Sequence, residues 1–146
     1  MSDIRDIRIL ALTAEGLKVA EIAQSVKLSP DQVSRIRREL YNGYGVHDPI
    51  SLVITAIERG EIPLPSLPAV NGVSLTPRQQ KILDWICQGK TNEEVAQEIG
   101  LAAVTVRRRL MGILYRALGI SSCRMTAALI WWFKMKKEVK ARAKVA

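Results

Sequence analysis

The sequence predicts an all-α protein made of two small four-helix domains in tandem, and three observations carry that expectation. Capped helix starts recur along the chain, the apolar residues fall at helical rather than alternating spacing, and residues 2–56 repeat the pattern of residues 75–130. At a constant offset, Arg5/Arg78, Ile9/Ile82, Leu10/Leu83, Gly16/Gly89, Glu21/Glu94, Ala23/Ala96, Gln24/Gln97, Leu28/Leu101 and Val33/Val106 coincide. Internal duplication is the simplest origin of such a match. Beyond the third helix the second copy carries one extra residue, expected near Ala117, before Gly119-Ile120 meets Gly45-Val46. The expected domains are 1–60 and 75–146, joined by a proline-containing linker at 61–74.

The helices follow from their start and stop signals. In the first copy, helical pattern opens directly after Met1-Ser2-Asp3. Ser29-Pro30-Asp31-Gln32 is a full start signal for the third helix, with Ser29 as N-cap and Pro30 at the first helical position. Asp48-Pro49 starts a fourth helix that ends near Gly60. In the second copy, Thr76-Pro77-Arg78-Gln79 combines a hydroxyl cap, a proline and a capping-box Gln, so a helix should run to about Gln88 and stop at Gly89. Thr91-Asn92-Glu93-Glu94 repeats the capping box for a short helix ending near Gly100. A third helix, without a hydroxyl cap, runs from about Ala103 through Leu118, and a fourth starts at Ser121 or Ser122.

Apolar spacing supplies the core of the second copy. Ile82, Leu83 and Ile86 line its first helix, Val95, Ala96 and Ile99 its second, and Val106, Leu110, Ile113 and Leu114 its third. Ala96, like Ala23, is small where the second and third helices should cross closely. In the fourth helix Met125, Ala128, Leu129, Trp132 and Met135 form one stripe, leaving Ile130 and Trp131 off it as an expected partner surface. The linker contains Ile62, Leu64 and Leu67, apolar residues able to dock on a domain.

Charge divides the copies. Residues 1–60 carry eight Lys/Arg and eight Asp/Glu, whereas residues 75–146 carry fourteen Lys/Arg and five acids. A polyanion is the natural partner of such a basic half, through counterion release. Lys134, Lys136, Lys137, Lys140, Arg142 and Lys144 read as a basic tail that touches phosphate nonspecifically. Membrane spans, a signal segment, catalysis, metals and cofactors find no support. His47 stands alone beside a helix start, and Cys87 and Cys123 form no CxxC pair. The expected setting is the cytoplasm, at the nucleoid.

The third helix of the second copy carries the chemistry. With Val106 and Leu110 buried, Arg107, Arg108 and Met111 should face solvent, the geometry of a recognition helix entering a major groove. Arg109, off that face, should meet a phosphate. Ser34, Arg35 and Arg38 hold the equivalent outer positions in the first copy, beside Ser29 at the helix start.

Leu75-Thr76-Pro77-Arg78, Gly89 through Ala96, Thr105-Val106 and Leu118-Gly119-Ile120 resemble the LuxR/GerE helix-turn-helix family over about residues 73–134. Residues 2–59 resemble it more faintly, through Gly16, Glu21-Ile22-Ala23, Leu28-Ser29, Val33 and Gly45-Val46. The resemblance implies four-helix DNA-binding domains of transcription regulators that read the groove with helix three and pair through helix four. It places base contacts on Arg107, Arg108 and Met111, with Thr91, Thr105 and Arg109 near phosphates. Ala102 stands where the family has Ser, and Arg109 where it often has His. No receiver or ligand-binding domain accompanies the two copies.

The expectation is a regulator of transcription that binds specific double-stranded DNA with both third helices, activation being favoured over repression. Homodimerisation would use the fourth helix. Two alternatives stand beside it. In one, the first copy binds RNA polymerase or a regulatory protein and only the second holds DNA; in the other, the chain is a DNA-architecture or recombination accessory factor.

Overall fold

The structure is a computed structural model that describes residues 4–137 and 139. Among these the chain forms eight helices and no strand. It divides into two compact units, Met1–Ser66 and Leu67–Ala146.

The first unit contains α1 (Ile4–Ala14), α2 (Val19–Val26), α3 (Pro30–Tyr44) and α4 (Pro49–Glu58). Helix α1 packs on the other three, and α3 also meets α2 and α4. Their inward residues, Ile9, Leu10, Ile22, Ala23, Val33, Leu40, Leu52, Val53 and Ala56, make the core. Start signals act as the chemistry requires. The Ser29 hydroxyl accepts from the Gln32 N–H, the Gln32 side chain accepts from the Ser29 N–H, and Asp48 accepts from the Ser51 N–H. The turn between α2 and α3 is less comfortable, because Lys27 closes α2 at φ 60. A side chain in that left-handed region crowds its own backbone.

The second unit contains α5 (Pro77–Cys87), α6 (Asn92–Ile99), α7 (103–117) and α8 (124–135). Both long helices are interrupted. Within α7, Val106–Leu110 forms a π turn, and the Met111 N–H donates five residues back to the Val106 carbonyl. In α8 the same happens at Trp131–Met135, where the Lys136 N–H reaches the Trp131 carbonyl. Helix α5 packs on both parts of α8, while α6 packs on the first half of α7.

The π turn in α7 corrects the expected core. Val106, Met111, Leu114 and Leu118 are buried, Leu110 is half-buried, and Ile113 is 42% exposed. A regular helix advances about 100° per residue, so an eight-residue step from Val106 to Leu114 would land about 80° out of phase. The wide turn absorbs that excess and swings Met111 inward. Met111 is therefore a core residue, 3% exposed, and not the solvent-facing DNA contact that regular spacing implies. In α3, by contrast, Val33 and Leu40 lie one residue closer and no π turn intervenes. Relative to α3, α7 thus spaces its core positions one residue wider, at Val106–Leu110 rather than near Ala117.

Helix α8 brings three further corrections. It starts at Arg124, with the Cys123 sulfur accepting from the Thr126 N–H at 3.5 Å, rather than at Ser121 or Ser122. The Arg124 guanidinium donates to the Lys90 carbonyl and the Asn92 side chain, which ties the helix start to the entry of α6. Ile130 and Trp131, expected on a partner surface, are 0% and 2% exposed. The reason is that α8 is enclosed nearly all round, with Ala127 through Trp131 buried in succession. Nε1 of Trp131 donates to Asp84 Oδ1 of α5 at 2.8 Å, which satisfies the one polar atom of a buried indole. Trp132, expected on the buried stripe, is only half-buried, with the Lys136 ammonium 4.6 Å from its ring centroid.

The connector is anchored near each end. Ile62 is buried, Glu61 accepts from the Tyr44 hydroxyl, and the Lys134 ammonium donates to the Leu67 and Pro68 carbonyls. Lys136 pairs with Asp84 at 3.1 Å, so two lysines of the expected tail serve the fold instead. Lys140, Arg142 and Lys144 lie outside the described residues. No helix among the described residues is long and apolar enough to cross a membrane.

Candidate nucleic-acid interface

Helices α6 and α7 present the candidate site, and the local sequence dictates how. Thr91 caps α6, its hydroxyl accepting from the Glu94 N–H while the Glu94 carboxylate accepts from the Thr91 N–H at 3.0 Å. That backbone N–H, and after it the Thr91 hydroxyl, holds the Glu94 carboxyl below the usual carboxylate range. Gly100, at φ 82, ends α6 and lets the chain turn sharply into α7. Ala102 opens α7 without a side-chain cap, as its lack of a hydroxyl requires.

Burial of Val106, Met111, Leu114 and Leu118 fixes which side of α7 faces out. Arg107, Arg108 and Arg109 are all exposed on the turn between Val106 and Met111, and Thr105 is half-buried at its edge. In a π turn successive side chains are separated by roughly 80° rather than 100°, so three in a row span a narrower arc. None of the three arginines pairs with an acid among the described residues. Their guanidinium forks are thus presented to solvent, able to grip guanine edges or phosphate oxygens.

The structure brings together Thr105, Arg107, Arg108 and Arg109 on one helix, leaves Thr91 exposed at the start of the preceding one, and removes Met111 to the core. Three further residues, which the sequence spacing did not single out, share the outer side of α7. Val104 is 41% exposed in the first turn of α7, Gly112 sits where Met111 was expected, and Arg116 is exposed one turn further on. Val104 was legible as an outward apolar residue two places before the core residue Val106. The other two depend on the π turn, which no apolar period announces.

In the first unit, Arg35 and Arg38 are exposed on α3 and Ser34 is half-buried. Arg37 is held by the Tyr41 hydroxyl at 3.0 Å. Ser29 is exposed, its hydroxyl engaged as the cap of α3. A shallow hollow lies among Val19, Ser34, Arg37, Arg38 and Tyr41, much as one lies among Val104, Thr105, Arg108 and Arg109 on α7.

Other chemistry is thinly represented. Among the described residues no three His, Cys, Asp or Glu side chains gather to hold a metal. Cys87 is buried, with its thiol directed to the Ala128 carbonyl, and Cys123 is occupied as a helix cap.

No curated protein and no solved structure matches the chain significantly. A family model does match part of it: residues 73–123 fit the model described as bacterial regulatory proteins, luxR family, and that stretch comprises α5, α6, α7 and the turn before α8. Residues 73–123 of the second unit are thus similar to the helix-turn-helix domain of luxR-family bacterial regulatory proteins.

Proposed function

We propose that this chain regulates transcription by binding specific double-stranded DNA, with α7 as the helix that enters the major groove. One observation carries the reading. On a helix whose inner side is fixed by Val106, Met111, Leu114 and Leu118, the arginines 107, 108 and 109 all face solvent within the luxR-type domain. Arg107 and Arg108 read base edges, while Arg109, Thr105 and Thr91 hold phosphates. The excess of fourteen Lys/Arg over five acids in residues 75–146 supplies the salt-dependent part of the affinity. The protein works at the nucleoid, and no cofactor or catalytic step is needed.

The first unit is read as a second, divergent copy of the same domain. Its first three helices have the lengths of α5, α6 and α7 (11, 8 and 15 residues, the last being the 3, 5 and 7 of its segments), and each begins the same number of residues earlier. Arg35 and Arg38, with Ser34 and Ser29, then touch a second stretch of DNA. One observation favours a protein partner for this unit instead. Residues 1–60 are electrically neutral overall, and a groove of about 500 Å³ is lined by Asp6, Ile7, Tyr44 and Arg59, with Ile7 37% exposed.

Selection from a random-sequence DNA library with the full chain tests the main reading. Enrichment of a compact motif supports it; absence of enrichment refutes it. Footprints of the wild type and of the Arg35→Ala, Arg38→Ala double variant then divide the two readings of the first unit. A footprint shortened by about one helical turn assigns it to DNA, and an identical footprint assigns it to protein.

A further inference from the structure

A row of side chains runs along the outer side of α7 at four-residue spacing: Val104, Arg108, Gly112, Arg116. Each lies opposite the buried line of Val106, Met111, Leu114 and Leu118. Gly112 is the anomaly in this row. It sits inside a helix, where glycine is a poor helix former, and its φ is not positive, so no backbone demand calls for it. A Cβ placed there would meet nothing within 4 Å. Neither packing within the chain nor backbone conformation calls for the missing side chain, and at Gly112 the bare backbone falls on the same outer row as Arg108 and Arg116.

The π turn decides which residue occupies that place. Between Val106 and Met111 the core positions step by five, then by three and four to Leu114 and Leu118. Removing one residue from the turn would leave steps of four, three and four, the spacing of an uninterrupted α-helix. The turn thus behaves as a one-residue insertion that leaves the core in phase.

Resting on the DNA-binding reading above, we propose that this insertion sets the sequence specificity. By rotating the second half of α7, it aligns Val104, Arg108, Gly112 and Arg116 into one reading line, with Gly112 as the point where the groove comes closest. The bare backbone at Gly112 lets a base pair approach between the flanking guanidinium groups of Arg108 and Arg116. Val104, apolar and outward in the first turn, meets a thymine methyl, the one apolar mark in the major groove.

Two full-length variants test this on the motif selected by the wild type. Gly112→Ala fills only open space, so its unfolding temperature should equal or exceed that of the wild type. Its affinity for the motif should fall about tenfold or more, while affinity for random DNA stays within about twofold. Deletion of Arg109 should give a protein that unfolds cooperatively at or above the wild-type temperature, yet selects a different motif. Unchanged motif affinity in Gly112→Ala overturns the close-approach assignment. An unfolded deletion variant, or one that selects the same motif, overturns the role of the turn. If the wild type itself enriches no motif, the DNA-reading function fails instead, and the two failures are told apart.

Discussion

Replacing Trp131 by Ala tests how the second unit holds together. The indole is 2% exposed and bonded through Nε1 to Asp84. A buried Trp removes about 200 Å² from water, worth about 5 kcal/mol at roughly 25 cal/mol per Å², and measured Trp truncations in cores cost about 3–5 kcal/mol. A unit of about 80 residues has a total stability of about 4–12 kcal/mol. Truncation therefore removes about a quarter of it or more. At about 4–8 °C per kcal/mol for a domain of this size, the unfolding midpoint of this unit should drop by about 12 °C or more. Thermal denaturation followed by circular dichroism, with light scattering alongside, reads both stability and mass. A midpoint within a few degrees of wild type, together with a smaller oligomer, would refute the burial argument and return Trp131 to a partner surface.

Three further outcomes follow from local geometry. Met111→Ala should cost about 2–5 kcal/mol as a core truncation, while Ile113→Ala should cost under about 1 kcal/mol; denaturant titration of both variants measures the phase of α7, and the reverse order would deny the π turn. Lys27→Gly should stabilise the first unit by about 1 kcal/mol, because Lys27 occupies φ 60 at the end of α2, and the same titration detects it. The Glu94 carboxyl is held below its unfolded value, so its contribution is present above the unfolded pKa and is lost as pH falls through the folded one. Glu94→Gln, which keeps an acceptor without the charge, should accordingly show a shallower loss of stability across the acid range in melts at successive pH values.

Most of the fold was legible because its signals are local. Ser29, Asp48, Thr76 and Thr91 each cap a helix at the expected place, since a hydroxyl or carboxylate followed by the right partner two or three residues on is a chemical instruction. The misplacements share one cause. Period-3.6 arithmetic placed Leu110 and Ile113 in the core and Met111 outside, but a π turn shifts the phase of every residue after it, and nothing in an apolar pattern marks where the shift occurs. Ile130 and Trp131 were misread for a related reason. A stripe calculation assumes one buried side, whereas α8 is covered nearly all round and α5 offers Asp84 to the one polar atom of the indole. The exposure of arginines 107, 108 and 109 was legible because charge, unlike packing, does not depend on a single residue of phase.

The central claim is that α7 reads base sequence through its arginines, and selection from a random DNA library with wild type and Arg108→Ala, side by side, tests it most directly. The account predicts a compact motif for the wild type. For Arg108→Ala it predicts loss of preference at one base position, about 1–3 kcal/mol of discrimination, with salt-dependent binding to all sequences largely retained. An identical motif from both proteins would contradict it.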